Sequence, residues 1–277
     1  MRAILLAGGL GTRLRPLTLR IPKPFLPIAN VPLLLHQLER VKRAGATEAM
    51  LCLSHLPEAA RECVRTLQSP LPLRMVWEDP PLGTGGAVRN AIEGSDGETV
   101  LVLNADAISD GDLSSLVDFH RERGAACTIL GTRVEDSSPY GLLDLDADGR
   151  VRSFREKTPA AESVVGTINA GVYVLEPRLL SRIEEGKAVS IEREFFPAVV
   201  AAGEPVFARV HEGYWIDVGT PAAYLRVHRD IFEGTFRCPV ATPSGRAHLG
   251  AESVVQDAVL GEGSVLGDHS RAGGESM

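Results

Sequence analysis

The chain begins with an apolar run, Ala3 to Leu6, that empties into Gly8, Gly9 and Gly11 and then into Thr12, Arg13 and the cluster Pro22, Lys23, Pro24. A strand followed at once by glycines and cations points to a fold in which a sheet edge faces an anion. Glycines let the backbone approach a ligand closely and turn several N–H groups toward one charge. The spacing excludes two common phosphate loops. There is no Gly-Lys-Ser/Thr for a P-loop, and Leu14 stands where a dinucleotide fingerprint needs its third glycine. Gly-Gly-x-Gly alone also fits an ordinary strand-to-helix turn, so the weight falls on the charged residues that follow it.

With 277 residues, 44% of them hydrophobic, the chain can bury a large core. One sizeable domain over residues 1–240 and a short tail over 241–277 are expected. The formal net charge of −7 argues against a nucleic-acid partner, which normally requires a basic surface. Cys52, Cys63, Cys127 and Cys238 stand singly, without metal-site spacing, as expected for reduced thiols in the cytoplasm. The apolar stretch after Arg2 is too short for a signal peptide, and no other segment has the length of a membrane span. A cytoplasmic location without a membrane partner follows as the expectation.

Short apolar runs alternate with amphipathic segments through the first half, the pattern of a doubly wound, Rossmann-like α/β fold with a mostly parallel sheet. Strands are predicted over 1–7, 49–54, 73–78, 99–103, 126–134, 168–175, 206–210 and 214–217. Helices are predicted over 33–44, 58–68, 113–123, 177–185, 191–202 and 222–232, with Asp112 as the N-cap of the third. The run 99–103 is apolar throughout and reads as a central strand. Residues 142–146 and 150–155 flank Asp148-Gly149, the signature of a β-hairpin excursion with a type I′ turn. Beyond Gly234, aliphatic-glycine pairs recur every five to six residues, as in a short left-handed β-helix built of hexapeptide repeats. So few coils leave an open end that needs packing or a second subunit, so a homo-oligomer is expected.

Asn104-Ala105-Asp106 follows the central strand and carries a carboxylate to the edge where open α/β sheets bind ligands. A second isolated carboxylate, Asp217, lies in Tyr214-Trp215-Ile216-Asp217-Val218-Gly219-Thr220-Pro221. Two carboxylates suffice for Mg²⁺, which takes its other ligands from phosphates and water. Asp106 also fits a structural cap, but Asp110 and Asp112 are better placed for capping, and the second carboxylate at Asp217 favours a metal ligand. Gly83-Thr84-Gly85-Gly86 forms a second glycine loop at a helix start, shortly after Glu78. No Ser-His-Asp or Cys-His constellation is evident.

The string LAGGLGTRLRPLT followed by PKP resembles the signature of the sugar-1-phosphate nucleotidyltransferases, or nucleotide-diphosphate-sugar pyrophosphorylases, and the likeness runs over nearly the whole chain. The resemblance implies transfer of a nucleotidyl group from a nucleoside triphosphate to a sugar 1-phosphate, with release of pyrophosphate. It implies catalytic roles for Arg13, Lys23, Asp106 and Asp217, the two aspartates being the Mg²⁺ ligands. Leu6, Ala7, Gly8, Gly9, Gly11, Thr12, Glu78, Gly83 and Thr84 would bind the nucleotide. Gly141, Glu156, Lys157 and Asn169 would bind the sugar phosphate. The chain departs from the family pattern in having Asn-Ala-Asp where many relatives have Gly-Asp, and Thr158 before Pro159. Glu78 can accept from both N1–H and the 2-amino group of guanine, which favours GTP, and the PLGTGG context resembles the mannose-1-phosphate guanylyl branch and its heptose-phosphate relatives more than the uridylyl or thymidylyl branches. Uridylyl or thymidylyl transfer to glucose 1-phosphate, and a non-catalytic nucleotide-sugar-binding homologue, remain as alternatives.

Overall fold

The computed structural model describes residues 1–92, 97–155 and 164–240, with short strand segments beyond. The sheet strands are β1 (Arg2–Leu6), β2 (Glu48–Leu53), β3 (Leu73–Trp77), β4 (Val100–Asn104), β5 (Cys127–Val134), β6 (Leu142–Leu145), β7 (Val151–Arg155), β8 (Gly166–Leu175) and β9 (Val206–His211). They form one sheet in the order β7-β6-β8-β4-β1-β2-β3, and β5 bridges β8 to β9. Pairing is parallel among β4, β1, β2 and β3 and between β5 and β9, whereas β8 runs antiparallel to β4 and β5. β4 lies at the centre, as its apolar sequence requires.

The apolar runs are continuous because both sheet faces are covered. Ile4 and Leu6 of β1 enter one core with Val88, Tyr173 and Phe196, while Ala3 and Leu5 enter the other with Leu34, Leu38 and Leu116. The helices that cover these faces include α1 (Leu33–Arg43), α2 (Pro57–Thr66), α3 (Gly83–Ala91) and α4 (Leu113–Glu122). Asp112 caps α4 as expected, its Oδ1 accepting the Ser114 N–H at 2.9 Å.

Three local expectations are corrected. The turn between β6 and β7 is not type I′, because Gly149 alone takes a positive φ, +81°. Instead the Asp146 side chain accepts from the N–H groups of Asp148 and Arg150, at 3.0 and 2.9 Å, and so holds the chain in a type I turn closed by the left-handed glycine. The helix expected over 177–185 ends early, as α5 (Pro177–Leu180). The helix expected over 191–202 opens as a π-helical turn, Ile191–Phe195, before α6 (Phe196–Ala201). The last two have one cause, which is that the chain around Val189 bonds to the start of α3. Val189 N–H donates to Leu82 O at 2.9 Å, Gly85 N–H to Val189 O at 2.8 Å, and Ile191 N–H to Thr84 Oγ1 at 2.8 Å.

In the tail, His248–Leu249 pairs in parallel with Val265–Leu266, and Val254–Gln256 with Arg271–Gly273. The handedness expected of a repeat coil lies outside the described residues.

Gly83 must be glycine on two counts. Its φ is +68°, and an added Cβ would stand 2.7 Å from the Val189 carbonyl oxygen. Gly45 shares only the first, with φ +86° and nothing within 4 Å. Gly45→Ala is expected to cost about 1 kcal/mol, the left-handed penalty, and Gly83→Ala at least twice as much in urea denaturation. Equal losses would show that the contact with Val189 carries no weight.

Candidate active site

Asp106 lies two residues past β4, and Asp217 ends the short strand Trp215–Asp217. That strand pairs antiparallel with Ala107–Ser109, setting Asp217 opposite Ala107. Val218 N–H then donates to the Asp106 carbonyl at 2.9 Å. Ile108, Ile216 and Val218 pack into a small apolar cluster with Val227 and Phe236, and strand alternation turns Asp217 the other way. Val227 belongs to α7 (Pro221–Phe232), whose first N–H groups are capped by Thr220, its Oγ1 accepting from Ala223 N–H at 3.2 Å. The Gly-Thr-Pro part of the motif is therefore a helix start, and Asp217 is its chemical residue.

Two like charges brought together need a cation. Lys23 Nζ lies 2.8 Å from Asp106 Oδ2 and 3.8 Å from Asp217 Oδ1, on a side chain only 10% exposed. Buried Pro24 and Phe25 anchor the 3₁₀ turn that aims it. Arg13 is 68% exposed, with Nη2 4.0 Å from Asp217 Oδ2, so it stands at the rim. The carboxylates offer hard oxygen donors at one point where an ammonium already sits, which fits a divalent cation completed by substrate phosphates. Among the described residues no cluster of three or more potential metal ligands occurs, so the pair would need those outside ligands.

Two clefts open beside this group. The smaller, about 340 Å³, is lined by Leu6, Gly8, Gly9, Glu78 and Asp106. The larger, about 620 Å³, is lined by Tyr140, Gly141, Asn169, Glu192 and Arg193. Gly83, Thr84 and Asn104 border both. Ala7 lines a small hollow beside Lys23 and Asp106. Gly11 and Thr12 line none of these, and Gly11 instead accepts from Thr18 Oγ1 at 2.7 Å. Glu156 and Lys157 lie outside the described residues. The N–H groups of Gly85 and Gly86 are engaged by Val189 O, so the first glycine loop remains the backbone suited to phosphate.

Glu78 is buried in the smaller cleft, where its Oε2 accepts the Leu82 N–H at 2.9 Å and its Oε1 has no partner among the described residues. Burial pushes its carboxyl above the usual range, and the Leu82 hydrogen bond opposes that shift. Sequence reasoning missed Glu192, which accepts from Thr84 Oγ1 at 2.9 Å and so ties the second glycine loop to the larger cleft. Its only signal was an acidic residue at a helix start, which reads as an ordinary solvated position. Tyr140, which precedes Gly141 in the chain, meets Trp215 edge to face at 5.1 Å, two residues from Asp217.

The nucleotidyl transferase family model matches residues 2–234, and the chain belongs to that family. Within it the chain is a sugar-1-phosphate nucleotidyltransferase, as its kinship shows. It is 39% identical to the probable mannose-1-phosphate guanylyltransferase 1 of Oryza sativa subsp. japonica over 276 residues, covering 96% of this chain and 75% of the relative. It is 40% identical to the mannose-1-phosphate guanylyltransferase of Mycobacterium tuberculosis over 267 residues, covering 95% and 72%. The crystal structure of HddC from Yersinia pseudotuberculosis superposes with a TM-score of 0.72 at 29% identity, covering 83% of this chain and 99% of HddC. No helix among the described residues is long and apolar enough to cross a membrane.

An acid whose carboxyl is raised in the folded state holds its proton longer there than in the unfolded chain. Its contribution to stability is complete below the ordinary glutamate value of 4.5 and is lost as pH rises through the raised folded value. Unfolding free energy should therefore fall more steeply from pH 4 to pH 7 in the wild type than in Glu78→Gln, read by urea denaturation at several pH values. Parallel profiles would rule out a raised Glu78.

Proposed function

We propose that the protein transfers a guanylyl group from GTP to mannose 1-phosphate in a Mg²⁺-dependent reaction, giving GDP-mannose and pyrophosphate. The observation that carries this reading is the convergence of Asp106, Asp217 and Lys23 beside the smaller cleft, which Asp106 lines. The guanylyl preference draws on the relatives named above and on Glu78, whose carboxylate suits the two donors on the guanine edge. The HddC structure is also known in complex with GMP-PN.

A sugar phosphate oxygen is already anionic and needs no general base. It attacks the α-phosphorus in line, a new P–O bond forms, and the bond to the β-phosphate oxygen breaks as pyrophosphate leaves. The chain's task is to hold two mutually repelling anions in line and to offset the charge that develops. Mg²⁺, held by Asp106 and Asp217, would supply charge neutralisation on the phosphates. The Gly8–Gly9 backbone cradles the triphosphate, Lys23 faces the reacting centre from between the carboxylates, and Arg13 at the rim meets the leaving group. Asn169 and Gly141 line the sugar side, and the family motif assigns Lys157 to the sugar phosphate and Glu156 to its hydroxyls.

Pyrophosphate release with GTP, UTP, dTTP and ATP against a panel of sugar phosphates tests the reading. GTP with mannose 1-phosphate should give the highest kcat/KM, and Glu78→Gln should erode the GTP preference by about 1–3 kcal/mol, since a donor would then face a donor. A wild-type preference for UTP or dTTP would overturn the guanylyl assignment.

Asp106→Ala and Asp217→Ala should each lower turnover by roughly 10²-fold or more in a folded protein, through lost charge stabilisation. Near-normal turnover in either variant would remove that aspartate from the mechanism.

A further inference from the structure

The short strand Ala107–Ser109 stands outside the main sheet and pairs there with Trp215–Asp217. On that side Val218 N–H donates to Asp106 O and Asp110 N–H to Tyr214 O, at 2.9 and 3.2 Å, so the polar groups of Ala107 and Ser109 turn to the opposite edge. Helix α1 holds that edge. Gln37, buried, donates from Nε2 to Ala107 O. Arg40 Nη1 donates to Gln37 Oε1 at 2.9 Å, and Nη2 donates to Ser109 Oγ at 2.8 Å and to Gly111 O at 3.4 Å. The Arg40 guanidinium is buried, yet all of these acceptors are neutral. The neighbouring carboxylate, Asp110, lies 2.6 Å from His211 Nε2 instead. Burial pulls the Arg40 pKa down to about 10, with Asp110 opposing the shift. An apolar side chain could fill the same place at less cost, so what justifies a buried cation here is the set of groups its forked donors hold.

We infer that Arg40 and Gln37 are positioning residues for the cation site: from α1 they fix the outer edge of Ala107–Ser109, and through it the approach of Asp106 to Asp217. The inference rests on the Mg²⁺-dependent transferase reading. Apolar packing of Ile108 holds one face of the strand, but packing is non-directional and a three-residue ladder resists tilting weakly. Mg²⁺ tolerates little error in the placement of its oxygens. Gln37 grips the residue that follows Asp106, Arg40 grips Ser109 at the far end of the strand, and the Arg40–Gln37 hydrogen bond joins the two grips. Two points fixed from one helix set the strand's direction. Neither residue lines either cleft, so any influence on the reactants passes through the strand.

The test measures by calorimetry the binding of a non-hydrolysable GTP analogue alone, and of Mn²⁺ in its presence. Arg40→Met keeps the apolar stem and removes the donors, whereas Arg40→Lys keeps the charge without the fork. Ser109→Ala removes one acceptor, and Leu38→Ala, in the core on the same helix, controls for lost stability. Arg40→Met should lower Mn²⁺ affinity by about 10-fold or more, the effect of removing groups that orient metal ligands, while the analogue alone binds as in the wild type. Arg40→Lys should recover part of that affinity, and Ser109→Ala should lose a smaller part. Leu38→Ala should be less stable in urea yet keep wild-type Mn²⁺ affinity, a split that general structural damage would not produce. Wild-type Mn²⁺ affinity in folded Arg40→Met would overturn the inference, as would an equal loss in Leu38→Ala. If Arg40→Met does not fold, wild-type affinity in both Arg40→Lys and Ser109→Ala would overturn it. A wild type that binds no Mn²⁺ beyond the free analogue would instead overturn the cation reading, and this one with it.

Discussion

The site depends on two carboxylates being forced together against their mutual repulsion. A three-residue antiparallel ladder does this, because Ala107–Ser109 and Trp215–Asp217 can pair only with Asp217 beside the residue that follows Asp106. The ladder is held by apolar packing of Ile108, Ile216 and Val218, so the energy for the convergence comes from burial on one face while the charges gather on the other. Lys23 then sits between the carboxylates on a turn fixed by Phe25, which is itself part of the main core. Removing the packing would release the two anions, and removing the ammonium would leave their repulsion opposed by the packing alone.

The sheet topology decides what meets at that point. β1 and β4 are parallel neighbours, with Leu6 opposite Asn104, so the first glycine loop and the Asn-Ala-Asp segment emerge at the same edge. The antiparallel entry of β8 beside β4 brings Asn169 and Gly171 to that edge from the other side. Thr84 and Glu192 join the second glycine loop to the larger cleft, so the walls of the two clefts share one hydrogen-bonded frame. A reaction between two bound anions requires such a frame, because alignment of the reacting atoms is most of what the protein contributes.

Much of this was legible in the sequence wherever a signal was local. The helix capped by Asp112 and the central apolar strand were read close to their true bounds, since burial and capping act over a few residues. The glycine loop and the two aspartates are legible as residue types, and the family pattern implies that the aspartates converge, yet their spacing alone does not show it, because convergence depends on a ladder between segments far apart in the chain. The turn at Gly149 departs from the Asp-Gly pattern because the Asp146 carboxylate, and not the Asp-Gly pair, dictates its geometry. The short α5 and the π-helical turn were illegible for a related reason. Their backbone groups bond to the start of α3, and no property of residues 177–195 taken alone announces that partner.

On the proposed reading, Asp106 and Asp217 act as one cation site in the presence of the nucleotide. Calorimetric titration of Mn²⁺, with a non-hydrolysable GTP analogue, into the wild type, Asp106→Asn and Asp217→Asn tests it without relying on turnover. One Mn²⁺ should bind per wild-type chain above the binding of the free analogue, and that event should be lost in both variants to a similar degree. Wild-type affinity in either folded variant would contradict it.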